Sequence, residues 1–131
     1  VGLRAIGACF SAVGFNYWVG DDQDMMNRLA PVANECAQTI GLDLTFTPSD
    51  FDVTCQFAKP DFGEPSGTSL KALRLVARTE GIILDPVYTS KAMDGLINHI
   101  REDRYNSQDT IIFLHTGGVP AIFAYGDEVF G

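Results

Sequence analysis

The spacing of apolar residues along the chain changes several times, and each change marks an element. Leu3 to Phe10 alternates apolar and small residues, which predicts a strand. Gly14 to Gly20 carries Phe15, Tyr17 and Trp18, an aromatic loop read as packing over a domain edge. From Asp21 to Ile40, Met25, Leu29, Val32, Ala33, Cys36 and Ile40 recur at helical spacing, and Asp21, Asp22 and Asp24 suit the positive N-terminus of that helix. Pro31 predicts a kink there, or a helix that starts near Ala30, and Gly41 ends the pattern. Leu42 to Phe46 is a short strand, and Asp50 to Phe57 is a further strand or an irregular continuation. The stretch from Lys59 to Gly67 is a loop by its prolines and glycines. Thr68 to Thr79 is a helix presenting Leu70, Leu73, Val76 and Ala77, with Gly81 as its stop.

Ile82 to Leu84 then predicts a short buried strand closed by Asp85-Pro86. Thr89 or Ser90 caps the next helix, whose apolar face is Ala92, Met93, Leu96, Ile97 and Ile100. Polar residues 101–109 lead to the apolar run Thr110 to Leu114, which predicts a buried strand, and then to His115-Thr-Gly-Gly-Val-Pro120. Strands alternating with helices predict an α/β fold: three layers, a mostly parallel sheet and helices on both faces.

Composition narrows the partners. Nine basic against 17 acidic residues leave a net charge of −8, which disfavours nucleic acid and an anionic membrane surface. No apolar run reaches membrane-spanning length, so the cytoplasm is the expected location. Cys9, Cys36 and Cys55 are odd in number and widely spaced, and are expected as buried apolar residues rather than as a disulfide frame. No His/Cys/Asp/Glu group has metal-ligand spacing, so no metal is expected. Ser11, Ser66 and Ser90 lack the context of a nucleophile elbow. The chain begins at Val1 in what resembles a strand already under way, and it is read as a piece of a longer protein.

Candidate chemistry lies in the turns. In a parallel sheet the turns after the strands line up on one edge, where ligands bind. Asp85-Pro-Val-Tyr-Thr-Ser90 and His115-Thr-Gly-Gly118 are two such turns, and the Asp61-Phe62-Gly63 loop is a third wall. Together they offer a phenol, hydroxyls, open glycine backbone and an aromatic face, a set suited to a flat polar ring. The bland alternatives are an ordinary Gly-Gly turn, a hydrogen-bonded structural His115, an edge-packing Tyr88, and an Asp85 that only fixes the turn before Pro86. His99 and Lys91 are expected in solvent, and Phe123 and Tyr125 as apolar contacts.

Two long runs resemble a known family. Glu80-Gly-Ile-Ile-Leu-Asp-Pro-Val-Tyr-Thr-Ser-Lys-Ala-Met93 and Ile112-Phe-Leu-His-Thr-Gly-Gly-Val-Pro-Ala-Ile-Phe-Ala-Tyr125 resemble the D-cysteine desulfhydrase and 1-aminocyclopropane-1-carboxylate deaminase family. These are pyridoxal 5'-phosphate enzymes of the tryptophan-synthase-β fold type. The resemblance implies that residues 1–131 are the C-terminal part of the cofactor-binding domain of a two-domain lyase. It implies pyridoxal phosphate as cofactor, a small amino acid as substrate, a missing N-terminal portion of the same enzyme, and a homodimer.

Residue by residue, the resemblance makes Tyr88 the catalytic position, able to act in proton transfer. It places Thr116 near the pyridine nitrogen, with Gly117 and Gly118 shaping the turn and Phe62 bounding the substrate. Thr89 stands where deaminase-type members carry a glutamate facing the ring nitrogen, and those members tend to have leucine at the position of Thr116. Threonine at both positions resembles the desulfhydrase branch. A neutral hydroxyl favours the pyridinium far less than a carboxylate does, and a weaker electron sink still supports loss of a good β-leaving group. The expected reaction is α,β-elimination from D-cysteine or a related amino acid. Ring-opening deamination is the alternative, and a non-catalytic binding domain the alternative of another class. Asp61-Phe62-Gly63 departs from the family's Gly-Tyr-Gly, and Ser90 from its glycine. Lys59, Lys71 and Lys91 do not match the family's cofactor-binding lysine, which supports the non-catalytic alternative for this span alone.

Overall fold

The computed structural model describes residues 1–130. Its elements in chain order are α1 (Gly2–Ala5), β1 (Val13–Phe15), α2 (Asp22–Thr39), β2 (Asp52–Thr54), α3 (Gly67–Glu80), α4 (Thr89–Arg101) and α5 (Gly126–Phe130). Two 3-10 turns, Pro48–Asp50 and Val119–Phe123, interrupt the loops. The chain forms two compact units: Val1–Gly14 with Gly20–Cys55, and Phe15–Val19 with the residues from Gln56 onward.

In the first unit α2 is organised by its acidic start. The Asp21 side chain accepts from the Asp24 N–H at 3.1 Å, and Asp22 Oδ1 accepts from the Cys55 N–H at 2.6 Å. Pro31 lies inside the helix, which runs on to Thr39, so the helix does not restart there. Its buried stripe is Ala30, Ala33 and Ala37, and Phe46 packs with the last two. The wider apolar face expected from the sequence is corrected: Val32, Cys36 and Ile40 are exposed. Cys9 is exposed as well, and only Cys55 is buried as expected.

The run Leu3–Phe10 is not a strand but begins with the short helix α1. Arg4 and Ala5 favour helix, and Gly7 at φ +63° breaks any extended run. Arg4 binds Asp50 and lies over the Phe46 ring, 4.8 Å from its centroid. The Arg4 hydrogen bond, followed by those from Thr47, holds the Asp50 carboxyl at about 2, below its usual 3.8.

The second unit packs Leu73 and Val76 of α3 against Leu84 and Val129, with Leu70, Met93, Phe113, Ile122 and Tyr125 around them. Ser66 and Ser69 form a reciprocal capping box at the start of α3, and Gly81 ends the helix at φ +68°. Arg74 Nε donates to the Val129 carbonyl at 2.9 Å and Nη2 to that of Glu128 at 2.7 Å, tying α3 to α5.

Helices with a sheet make the class α/β, although the strands differ from those expected. Among the described residues the one ladder is the pairing of β1 with β2. Segments 42–46, 82–84 and 110–114 have no ladder, and at Phe46 and Ile83 side chains bond the backbone instead. Asn34 both donates to the Phe46 carbonyl at 3.0 Å and accepts its N–H at 2.7 Å, as a neighbouring strand would. Between 83 and 115 a histidine ring serves, as described below.

Candidate functional site

Asp85 organises the turn in front of α4. It is fully buried: Oδ1 accepts from the Val87 and Tyr88 N–H groups at 2.9 and 2.7 Å, and Oδ2 from the Thr89 N–H at 2.7 Å. The Thr89 hydroxyl donates to the same carboxylate and accepts the Asp85 N–H at 2.9 Å. Bonds to a charged acceptor contribute about 1.5–3 kcal/mol each when taken singly, and they are not additive. One side chain thus takes three successive N–H groups at the entry to α4, and the Asp85 carbonyl accepts the next, from Ser90, at 3.1 Å. The expected cap, Thr89 or Ser90, is corrected to Asp85: the Thr89 hydroxyl is itself held by that carboxylate, and the Ser90 hydroxyl is buried with no partner.

Tyr88, at the N-cap position, remains 41% exposed. Its ring lies 6.3 Å from Phe62 and 5.2 Å from Tyr17. Tyr17 and Phe62 are themselves 5.8 Å apart, and Trp18 stands 6.3 Å from Phe62, so four rings form one wall.

The glycine turn adjoins this structure. A Cβ on Gly118 would sit 2.9 Å from Asp85 Cγ, so only glycine lets the backbone lie against that carboxylate. His115 Nδ1 accepts the Gly117 N–H at 3.1 Å, which leaves Nε2 to carry the proton and donate to the Ile83 carbonyl at 2.9 Å. His115 is therefore a structural brace between the two turns. The Thr116 hydroxyl is exposed and makes no hydrogen bond among the described residues, and a Cβ on Gly117 would meet nothing within 4 Å.

Of the six positions expected from the sequence, the structure brings Tyr88 and Phe62 into ring contact, and seats Gly118 on Asp85 three residues before Tyr88. Gly117 and Thr116 border open space. Thr89, 2% exposed, has both roles of its hydroxyl filled by Asp85 and is the exception. An exposed phenol, an unpaired hydroxyl and a glycine turn facing open space fit the polar edge of a flat heteroaromatic cofactor. No cluster of three His, Cys, Asp or Glu able to hold a metal is found among the described residues.

Several expectations are reversed around α4. Lys91 is buried at 2% exposure, with Nζ donating to the Ala58 carbonyl at 2.6 Å and to that of Asp61 at 3.1 Å. Burial lowers its pKa from the ordinary lysine value, and the charges of Asp61 and Glu64 offset part of that effect. His99 is also buried, tilted against Phe15 and edge-on to Phe57, with Arg104 donating to Nε2 at 2.8 Å. The expected apolar face of α4 is only half-buried, and Ile100 is exposed. Phe123 is exposed rather than packed, while the Tyr125 hydroxyl donates to the Gly63 carbonyl at 2.7 Å. Sequence reasoning missed Lys91 and Tyr125 because each acts on a carbonyl of the distant 58–63 loop, and spacing carries no signal of that. No helix among the described residues is long and apolar enough to cross a membrane.

No protein-family model matches the chain. A D-cysteine desulfhydrase from Yersinia enterocolitica (serotype O:8 / biotype 1B) is 37% identical over 107 residues, which cover 82% of this chain and 32% of that protein. The crystal structure of an ACC deaminase homologue superposes with a TM-score of 0.79 at 31% identity, covering 98% of this chain and 37% of that one. The chain thus spans about a third of the length of the curated relative it matches.

Proposed function

Because this chain belongs to the family of D-cysteine desulfhydrases and 1-aminocyclopropane-1-carboxylate deaminases, we propose that it is the C-terminal part of the cofactor-binding domain of a cytoplasmic pyridoxal-phosphate-dependent lyase. The proposed reaction is α,β-elimination from D-cysteine or a related β-substituted amino acid. The Cα proton and the β-substituent depart, and water completes release of ammonia and a 2-oxo acid. The remainder of the same enzyme would supply the lysine that binds the cofactor, since Lys91 is committed to two backbone carbonyls.

The observation that carries this reading is the joining of the two turns: Gly118 rests on the carboxylate that fixes the backbone of Tyr88. When bound, pyridoxal phosphate supplies the electron sink that makes Cα acidic. Tyr88 presents an exposed phenol from a backbone held by Asp85, and there it would hold or move a proton. Thr116, whose hydroxyl has no partner among the described residues, would meet the ring nitrogen. Thr89 is assigned a supporting role, since its hydroxyl is bound to Asp85. A neutral hydroxyl at the ring edge favours elimination of a thiolate over opening of a cyclopropane.

The test uses the whole enzyme and compares D-cysteine, L-cysteine and 1-aminocyclopropane-1-carboxylate, following sulfide, ammonia and 2-oxo acid. Sulfide and pyruvate from cysteine are expected. Tyr88→Phe should lower kcat about 100-fold or more while cofactor absorbance is retained. Ring opening as the preferred reaction, or an unchanged kcat in Tyr88→Phe, would overturn the assignment.

A further inference from the structure

The loop carrying Phe62 is held in an unusual way. Lys91 Nζ, buried beneath it, donates to the carbonyl of Asp61, immediately before Phe62. The Tyr125 hydroxyl donates to the carbonyl of Gly63, immediately after it. Asp61 Oδ1 accepts the Phe62 N–H itself at 2.7 Å. The backbone is thus fixed before, at and after Phe62, yet the ring remains 55% exposed. A core residue is held by the burial of its own ring, whereas this ring is presented outward by bonds to its backbone. Burying an ammonium for this purpose is costly, and the charges of Asp61 and Glu64 offset only part of it while Nζ bonds two backbone carbonyls. Such an arrangement suits a surface that must keep a fixed position for a ligand.

What meets that surface follows from its chemistry. Phe62 and Tyr17 adjoin Tyr88, and Trp18 adjoins Phe62 and Tyr17; Phe62 carries no hydroxyl to hydrogen-bond a free thiol. Aromatic rings attract thioether sulfur and apolar carbon. We propose that Lys91 and Tyr125 are positioning residues that fix Phe62 as the wall meeting the substrate's β-substituent, and that the substituent taken there is an apolar thioether. This rests on the lyase reading above. With an S-substituted cysteine the Cα–H and Cβ–S bonds break, and the electron pair of the latter leaves with sulfur. Sulfur takes up a proton to become the free thiol, and water completes release of ammonia and pyruvate.

The experiment compares D-cysteine with S-benzyl-D-cysteine on the holoenzyme that contains this chain. The ratio of kcat/KM values should favour the S-benzyl substrate by about threefold to tenfold, the worth of one good ring contact. Lys91→Gln and Tyr125→Phe should each lower that ratio by raising KM for the S-benzyl substrate alone. A purely structural role would depress both substrates together and leave the ratio unchanged. Tyr125→Phe removes one hydroxyl only, so it remains informative if Lys91→Gln does not fold.

Trp18, the single tryptophan of this span, supplies a second readout, taken as the difference in emission between wild type and Trp18→Phe on adding S-benzyl-D-cysteine. A Trp18 response together with a ratio that falls in the variants upholds the proposal. Turnover with an unchanged ratio, or no Trp18 response, overturns it while leaving the lyase reading intact. A Trp18 response with no turnover of either substrate overturns the lyase reading and, with it, the assignment of Phe62 to a substrate's β-substituent.

Discussion

Replacing Gly118 with alanine tests the joining of the two turns directly. The new Cβ would lie 2.9 Å from Asp85 Cγ and 3.0 Å from both Cβ and Oδ2 of the same residue. Asp85 cannot swing away without releasing the N–H groups of Val87, Tyr88 and Thr89. Gly118 also sits at φ +88°, in the left-handed region that alanine resists. The conformational cost is about 1–2 kcal/mol and the overpacking cost about 1–3 kcal/mol, giving a loss of about 2–5 kcal/mol. Gly117→Ala is the control, because that position has φ +106° but no atom within 4 Å of the added Cβ, so the overpacking cost is absent. Urea denaturation followed by circular dichroism, with a shared slope, gives both differences. A loss at Gly118 of less than about 1 kcal/mol, or one no larger than at Gly117, would refute the packing of the glycine turn on Asp85.

Further consequences can be checked in the same protein. Gly95→Ala should destabilise by about 1–3 kcal/mol, although glycine to alanine inside a helix ordinarily stabilises. The added Cβ would lie 2.3 Å from Phe15 Cε1 and 3.0 Å from Phe57 Cδ2, and a raised denaturation midpoint would contradict this contact. His115→Ala should cost about 1–3 kcal/mol by leaving the Ile83 carbonyl and Gly117 N–H without their brace; an unchanged midpoint would show that the brace is idle. Asp50 is held at about 2 rather than 3.8, so its stabilising contribution is complete above 3.8 and is lost as pH falls toward 2. Arg4→Ala removes the largest cause, and carboxyl NMR should then show the Asp50 midpoint rising; a midpoint that stays near 2 would exclude Arg4 as its source.

What the sequence made legible follows from how local each signal is. Helix α3 is legible because its apolar stripe and its stopping glycine lie within one window of chain, whereas its Ser66 cap shows only in the structure. The Asp85-Pro86 and Gly117-Gly118 turns were readable for the same reason. Helix α4 was located correctly but its inner face was not, because Lys91, Asp94 and His99 are buried by partners that periodicity does not reveal. Asp94 binds Asn98, one turn away, and Lys91 reaches carbonyls 33 and 30 residues earlier. The strands at 82–84 and 110–114 were inferred from apolar runs alone, and such a run does not specify a ladder partner. Thr89 was placed at the ring edge by resemblance, whereas its hydroxyl answers to a carboxylate four residues before it.

The same reversal explains how the second unit holds its loops in place without a ladder. Each of the three segments at the candidate site is fixed by a side chain bonded to backbone: Asp85 to the start of α4, His115 between Ile83 and Gly117, and Lys91 with Tyr125 on either side of Phe62. Side-chain braces of this kind fix a loop at chosen atoms and leave neighbouring groups open. That is why Tyr88, Thr116 and Phe62 remain exposed while the residues bracing them are half-buried or buried. A chemical site needs that division, because groups that meet a ligand must be accessible and yet not free to reorganise. It also predicts how the site fails. Loss of one brace should loosen one wall and leave the other two, so substrate choice should shift under Tyr125→Phe while Tyr88, the position proposed to handle the proton, stays in place. If all three walls relaxed together, the braces would be parts of one cooperative core rather than separate supports for the site.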